Sequence, residues 1–284
     1  MNRSPIRAEP PVAEAISVAG APAGHAAAAR QFLAKTIAIA GMEVRKLRHD
    51  PMELLTRAIQ PLLWLLVFGQ VFGRLHALPT GNLTYTEFLA PGILAQSVLF
   101  VAIFYGISVI WERDLGIVHK FLVSPAPRSA LVLGKAVSAG IRAVSQAVIV
   151  YVASLALGVR LNLTLPALLG VLGFIMTGAA LFATFSLIIA SLVKTRERFM
   201  GIGQVLTMPL FFASNAIYPT SIMPQWLKWI VAVNPLTYEV DGLRALMLTG
   251  GESSLGLGMD ALVLTGVLAF LVVVGARLYP RIII

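Results

Sequence analysis

Long apolar runs alternate with short charged interruptions along most of the chain. The runs cover about residues 55–73, 88–111, 130–158, 165–193, 199–218 and 259–279. A helix needs roughly 20 apolar residues to cross about 30 Å of hydrocarbon, and these runs approach or exceed that length. Hydrocarbon offers the backbone no hydrogen-bond partner, so such runs must satisfy themselves as helices. The pattern predicts an all-α integral membrane protein with six transmembrane helices.

The segments between the runs have patterns of their own. Residues 1–29 are rich in Ala and Pro and have no continuous apolar core, which reads as a flexible cytoplasmic tail rather than a cleaved leader. In 31–49, Leu33, Ile37, Ala40, Val44 and Leu47 recur at helical spacing, with Arg45, Lys46 and Arg48 near the end. That is the signature of an amphipathic helix lying along a membrane surface. Asp50-Pro51-Met52-Glu53 then restarts the chain with a cap, a proline at the first helical position and a capping-box acid. Pro61 predicts a kink in the first span, and Gly69 and Gly73 offer a small surface to a neighbouring helix. Between the fifth and sixth spans, Pro219, Pro224 and Pro235 interrupt a half-apolar stretch holding Trp226, Trp229 and Tyr238. No uninterrupted crossing fits there. Two short half-inserted helices do, the second with an apolar stripe of Leu236, Val240, Leu243 and Met247 and with Asp241 and Arg244 able to pair.

Composition supports the bilayer reading. The chain is 58% hydrophobic and 12% charged, where a soluble domain carries roughly a quarter charged residues. The net charge of +9 comes from residues clustered at the ends of the apolar runs. Anionic headgroups and the positive-inside bias account for it, so lipids and not nucleic acid are the expected charged partners. Of 22 Lys and Arg, only Arg74, Arg160, Lys228 and Arg244 would fall outside if both termini are cytoplasmic, with Arg142 inside a span. That asymmetry orients the chain. There are no cysteines, which excludes disulfides and thiolate chemistry.

Signals for catalysis are absent. His25, His49, His76 and His119 are far apart, so no metal site is expected, and Gly134-Lys135 lacks the glycine a phosphate-binding loop needs. The chain reads as a non-enzyme with no catalytic residue. Three groups of residues remain of interest. The first is the charged insert after the second span, where Glu112, Arg113 and Asp114 precede an apolar patch with His119, Lys120, Phe121 and Leu122. A solvated loop has no use for Phe121 and Leu122, whereas a short helix docking on a cytoplasmic partner does; a helix resting on the lipid surface is the alternative. The second group combines Ser138, Arg142 and Gln146 with Gln204, Thr207, Phe211, Ser214 and Asn215, polar stripes on the third and fifth spans. They could line a route, form a dimer interface or glue helices together. The third is the outer segment with Trp226, Trp229, Asn234, Pro235, Tyr238, Asp241 and Arg244.

Three stretches resemble the membrane subunit of ABC-2 type ABC exporters: Glu112-Arg113-Asp114-Leu115-Gly116 through Ser124-Pro125 and Leu133-Gly134-Lys135, then Tyr218-Pro219 through Trp226-Leu227, then Asn234-Pro235-Leu236-Thr237-Tyr238 with Asp241-Gly242-Leu243-Arg244. The resemblance covers about residues 30–284, one transmembrane domain, and the Ala/Pro tail departs from it. It implies a permease that dimerises, pairs with two copies of a separate ATPase and uses the insert, about 112–124, as its coupling helix. It implies ATP and Mg on the partner and no cofactor on this chain. Drug-efflux, polysaccharide-export and nodulation-factor-export members look alike at this level. The expected cargo is therefore an amphipathic drug-like, lipid or lipid-linked saccharide molecule, moved out across a bacterial inner membrane. Two rivals are an ion-coupled secondary transporter and a non-transporting assembly factor. The first is disfavoured because no acidic residue falls centrally in any run.

Overall fold

The computed structural model describes residues 59–75, 79–115, 128–193 and 195–278. The expected tail, the surface helix at 31–49 and the insert residues His119, Lys120, Phe121 and Leu122 lie outside the described residues. Among those described, the chain is helical, with a single isolated bridge between Leu161 and Leu248.

Helix α1 occupies residues 59–75 and contains Pro61. A π-helical turn follows at Trp64–Phe68, after which the α-helix resumes at Gly69–Leu75. Helix α2, Tyr85–Asp114, starts with a capping box: the Glu87 N–H donates to the Thr84 hydroxyl and the Glu87 carboxylate accepts from the Thr84 N–H. The small surface of α1 meets this turn. The Thr86 hydroxyl donates to the Gly69 carbonyl at 3.1 Å, and a Cβ on Gly69 would lie 3.2 Å from that hydroxyl. Helices α3, Arg128–Ala156, and α4, Leu165–Leu192, follow and pack on α2 and on each other. Helix α5 runs Arg196–Phe212, α6 Gln225–Val233, α7 Pro235–Met247 and α8 Leu257–Leu278.

Among the described residues four helical stretches are long and apolar enough to cross a membrane: Tyr85–Ser108, Lys135–Ala156, Leu165–Leu192 and Leu257–Leu278. Helix α5 has 17 residues, short of the roughly 20 that a perpendicular crossing needs. Its predicted end at 218 is not reached. Beyond Phe212 the chain bends, because side chains take over the backbone partners: the Ser214 hydroxyl donates to the Phe211 carbonyl at 2.7 Å, and the Asn234 amide donates to the carbonyls of Leu210 and Ala213 at 2.7 and 2.6 Å.

Helix α2 is the axis of the bundle, with 83% of its apolar stretch buried, against 11% for the still more apolar α8. A surface as apolar as that of α8 is compatible with lipid and not with water. Helix α7 lies in a groove between α4, α2 and α8. Glycines set the closeness of these contacts. A Cβ on Gly242 would overlap the Phe174 ring, one on Gly178 the Glu239 carboxyl, and one on Gly92 the carbonyl of Ala216 in the bend after α5.

Candidate functional site

At one end of the bundle, α2 stops at the root of the charged insert. There Arg196, the first residue of α5, donates two hydrogen bonds to Asp114 Oδ2 at 2.7 and 3.1 Å and lies 3.5 Å above the Trp111 ring. Arg113 donates to the Val193 carbonyl at 3.1 Å, beyond the end of α4, and also contacts Asp114. The insert's root is thereby clasped to the link between α4 and α5. The hydrogen bonds from Arg196 hold the Asp114 carboxyl below its ordinary 3.8. The pair is exposed, so its contribution is to geometry more than to stability. Glu112 sits in the same last turn of α2.

The polar stripes divide by depth. Ser138 and Gln146 of α3 are buried, whereas Arg142 is half-buried with its guanidinium 5.5 Å from the Tyr105 ring of α2. On and after α5, Thr207, Phe211, Ser214 and Asn215 are all buried within the chain, and Gln204 is exposed. Thr207 satisfies its hydroxyl on the Gly203 carbonyl. The Trp64 ring of α1 meets Phe211 edge-on at 5.6 Å.

At the opposite end of α2, the chain breaks between α6 and α7 at Asn234-Pro235. Pro235 cannot donate, and Asn234 replaces the missing ladder by accepting from the Leu236 N–H at 3.0 Å. The Thr237 and Tyr238 hydroxyls donate to the Val231 and Ala232 carbonyls at 2.9 and 2.6 Å, closing the end of α6. Trp226 and Trp229 remain 65% and 69% exposed. A largely apolar cleft of about 620 Å³ separates α5 from α6, lined by Leu206, Leu210, Phe212, Tyr218, Trp226 and Ile230 among others.

Asp241 and Arg244 do approach, at 3.7 Å, but each is held mainly by other groups. Asp241 accepts from Asn215 at 3.2 Å and from the backbone N–H of Ser254 at 2.7 Å. Arg244 donates to the Asn215 carbonyl at 2.8 Å and stands 4.0 Å over the Phe88 ring. Ser253 connects Asp241 to Asp260 at the start of α8. One network therefore ties α7 to α2, to the bend after α5 and to α8. Arg244 is thus a buried structural charge and not a free surface cation.

Three features escaped the sequence reading. Glu87 is buried and paired with Arg160 at 2.8 Å across the start of α2 and the end of α3; the Thr84-x-x-Glu87 spacing was the available signal. Glu239 is fully buried against α4 with neither carboxylate oxygen hydrogen-bonded. Its position between Leu236 and Leu243 on the apolar stripe was the clue. Gln96 of α2 is 2% exposed and lacks any side-chain partner. Among the described residues no His, Cys, Asp and Glu group could hold a metal ion.

The family model described as ABC-2 type transporter matches residues 35–248. The chain is 29% identical over 204 residues to the transport permease ycf38 of Cyanophora paradoxa, covering 71% of this chain and 70% of that protein. It is 28% identical over 240 residues to the daunorubicin resistance ABC transporter permease DrrB1 of Streptomyces coeruleorubidus, covering 82% and 81%. It is 25% identical over 243 residues to the doxorubicin resistance permease DrrC of Mycobacterium tuberculosis, covering 83% and 85%.

Proposed function

The chain belongs to the ABC-2 type transporter family as the multi-pass permease subunit of an ABC exporter, and from that premise we propose that two copies of it, driven by two copies of a separate ATPase, move an amphipathic molecule out of the cytoplasm. A partner ATPase is a property of permeases of this kind. Its stoichiometry, the homodimer, the location of ATP and Mg on that partner, the bacterial inner membrane and the cytoplasmic placement of both termini are parts of the proposal. Resistance permeases among the relatives favour a drug-like cargo, and a lipid or lipid-linked saccharide has the same amphipathic character.

The observation that carries the mechanism is the clasp at the root of the insert. An ATPase pressing on Phe121 and Leu122 would push on α2 through its last turn. Arg113 and Asp114 would pass that displacement to the α4–α5 link through Val193 and Arg196. Tilting of α2 with α5 would open and close a path between the two copies. The half-inserted pair α6–α7 would close its outer side, with Trp226 and Trp229 at the interface and the Asp241–Arg244 network as its anchor. Gln204, exposed on α5, is the candidate of its stripe that can reach such a path directly.

The test is Phe121→Asp, assayed in vesicles with the ATPase present. Export is expected to fall to background while membrane insertion and expression stay normal. Normal export by this variant would overturn the coupling role.

A further inference from the structure

Between α1, α2 and α3 lies a cavity of about 130 Å³. It is lined by Gln60, Gln96, Ser97, Phe100, Phe104 and Gln146, together with Pro61 and Val101, and none of these described residues is charged. Gln96 and Gln146 are each 2% exposed, yet both atoms of the Gln96 amide and the Gln146 Nε2 make no hydrogen bond. A buried amide left unpaired forfeits the hydrogen bonds that water gave it, so such a group favours a partner that can restore them. Two such side chains, from different helices, face one space. Ser97 has turned its hydroxyl away, donating to the Ile93 carbonyl at 2.8 Å. The opening is flanked by half-exposed Gln60, Phe100 and Phe104, and the two phenyl rings stack at 6.0 Å. Gln96 lies roughly 16 Å along α2 from Tyr85 at 1.5 Å per residue, near the middle of a bilayer-sized helix.

We infer that this cavity is a recognition subsite for an uncharged, flat ring bearing neighbouring carbonyl and hydroxyl oxygens, the polar end of an amphipathic cargo. The size is right for one six-membered ring, since a cavity of about 150 Å³ elsewhere holds a benzene. The chemistry is right as well. A carbonyl on the ring accepts from the Gln96 and Gln146 amides, and a hydroxyl donates to Gln96 Oε1. Phe100 and Phe104 supply an apolar wall for the ring face. No charged group among the described lining residues would compensate a buried ion, so a free carboxylate or ammonium is disfavoured there. The remainder of the molecule would extend past Phe100 and Phe104. This inference rests on the exporter reading for its cargo, but the binding it asserts needs no ATPase.

The experiment uses the full-length chain in lipid nanodiscs, with daunorubicin, whose ring system carries such oxygens, as the fluorescent probe. Saturable binding is expected for the wild type. Gln96→Leu and Gln146→Leu should each weaken it about tenfold, and the double variant should lose less than the product of the two effects, because both amides grip one group. Gln96→Asn should recover part of the affinity. Thermal unfolding of every variant, followed in parallel, separates lost binding from lost folding. Absence of saturable wild-type binding would overturn the inference. So would unchanged affinity in the folded double variant, which would mean that the amides hold only water. Capture of an ATPase by the wild-type chain is scored in separate preparations. Capture without amide-dependent binding would sink the subsite and leave the exporter reading standing; amide-dependent binding without capture would do the reverse.

Discussion

Individual residues set how closely the helices approach. Gly92 follows Pro91 in α2, and its bare Cα lies against the Ala216 carbonyl. The neighbour is backbone, so it cannot rotate away. Gly92→Ala is expected to destabilise the protein by about 1–3 kcal/mol through overpacking, read as a lowered midpoint of thermal unfolding in detergent. Gly201→Ala on α5, where nothing lies within 4 Å, should instead be neutral or slightly stabilising. Glu239 poses the opposite problem. It is fully buried, and neither of its carboxylate oxygens is hydrogen-bonded. An unpaired buried carboxyl is costly, so Glu239→Met, which keeps the volume and removes the polar oxygens, is expected to keep or raise thermal stability, whereas Asn234→Ala should lower it by about 1–3 kcal/mol because it strands three backbone partners. These positions were only partly legible beforehand. Asn234-Pro235 announced a helix break, but nothing local to Gly92 indicates that residue 216 will arrive beside it.

At the scale of elements, the question is how motion passes from one helix to the next. The insert's root joins α2 to the α4–α5 link by side chains separated by about 80 positions, 113 with 193 and 114 with 196. If this clasp transmits force, Asp114→Ala and Arg196→Ala should each uncouple ATP hydrolysis from export without harming insertion. The double variant should be no worse than either single one, as a double-mutant cycle on export rate would show. The pH dependence has a definite sign. Pairing lowers the Asp114 pKa below 3.8, so the carboxylate is charged at pH 5 and the clasp persists there. It should loosen only as the pH falls through the lowered value. The fluorescence of Trp111, over whose ring the Arg196 guanidinium lies, followed against pH in the wild type and in an Asp114→Asn control, checks this. The apolar runs marked where helices lie but not this connection, since α5 is too short and too charged at its start to declare its own partners.

The whole molecule is arranged with α2 at its centre and α8 at its rim. A single subunit leaves an apolar cleft between α5 and α6 and the exposed rings of Trp226 and Trp229 on one side. Orientation is testable directly because the chain has no cysteine. Lys120→Cys should react with a membrane-impermeant maleimide only when the cytoplasmic face is accessible. Leu163→Cys, in the exposed link between α3 and α4, should react from outside in intact cells. Labelling of position 120 from outside would reverse the proposed direction of coupling.

Length, apolar runs and charge asymmetry were enough to establish a helical membrane protein and a charged insert, because a bilayer imposes those features on any chain that crosses it. The proline- and asparagine-marked break before the last span was readable for the same reason: local chemistry stops a helix locally. Which polar residues face inward was left to the tertiary structure. Thr207, Ser214 and Gln146 look alike on a helical wheel whether they line a path or pack against a neighbour, and burial distinguishes them. The Glu87–Arg160 pair, the Asp114–Arg196 clasp and the unpaired amides of Gln96 and Gln146 are all encounters between distant segments. Their partners are chosen by how the helices pack, and that choice is made by the summed fit of the bundle, not by any one segment.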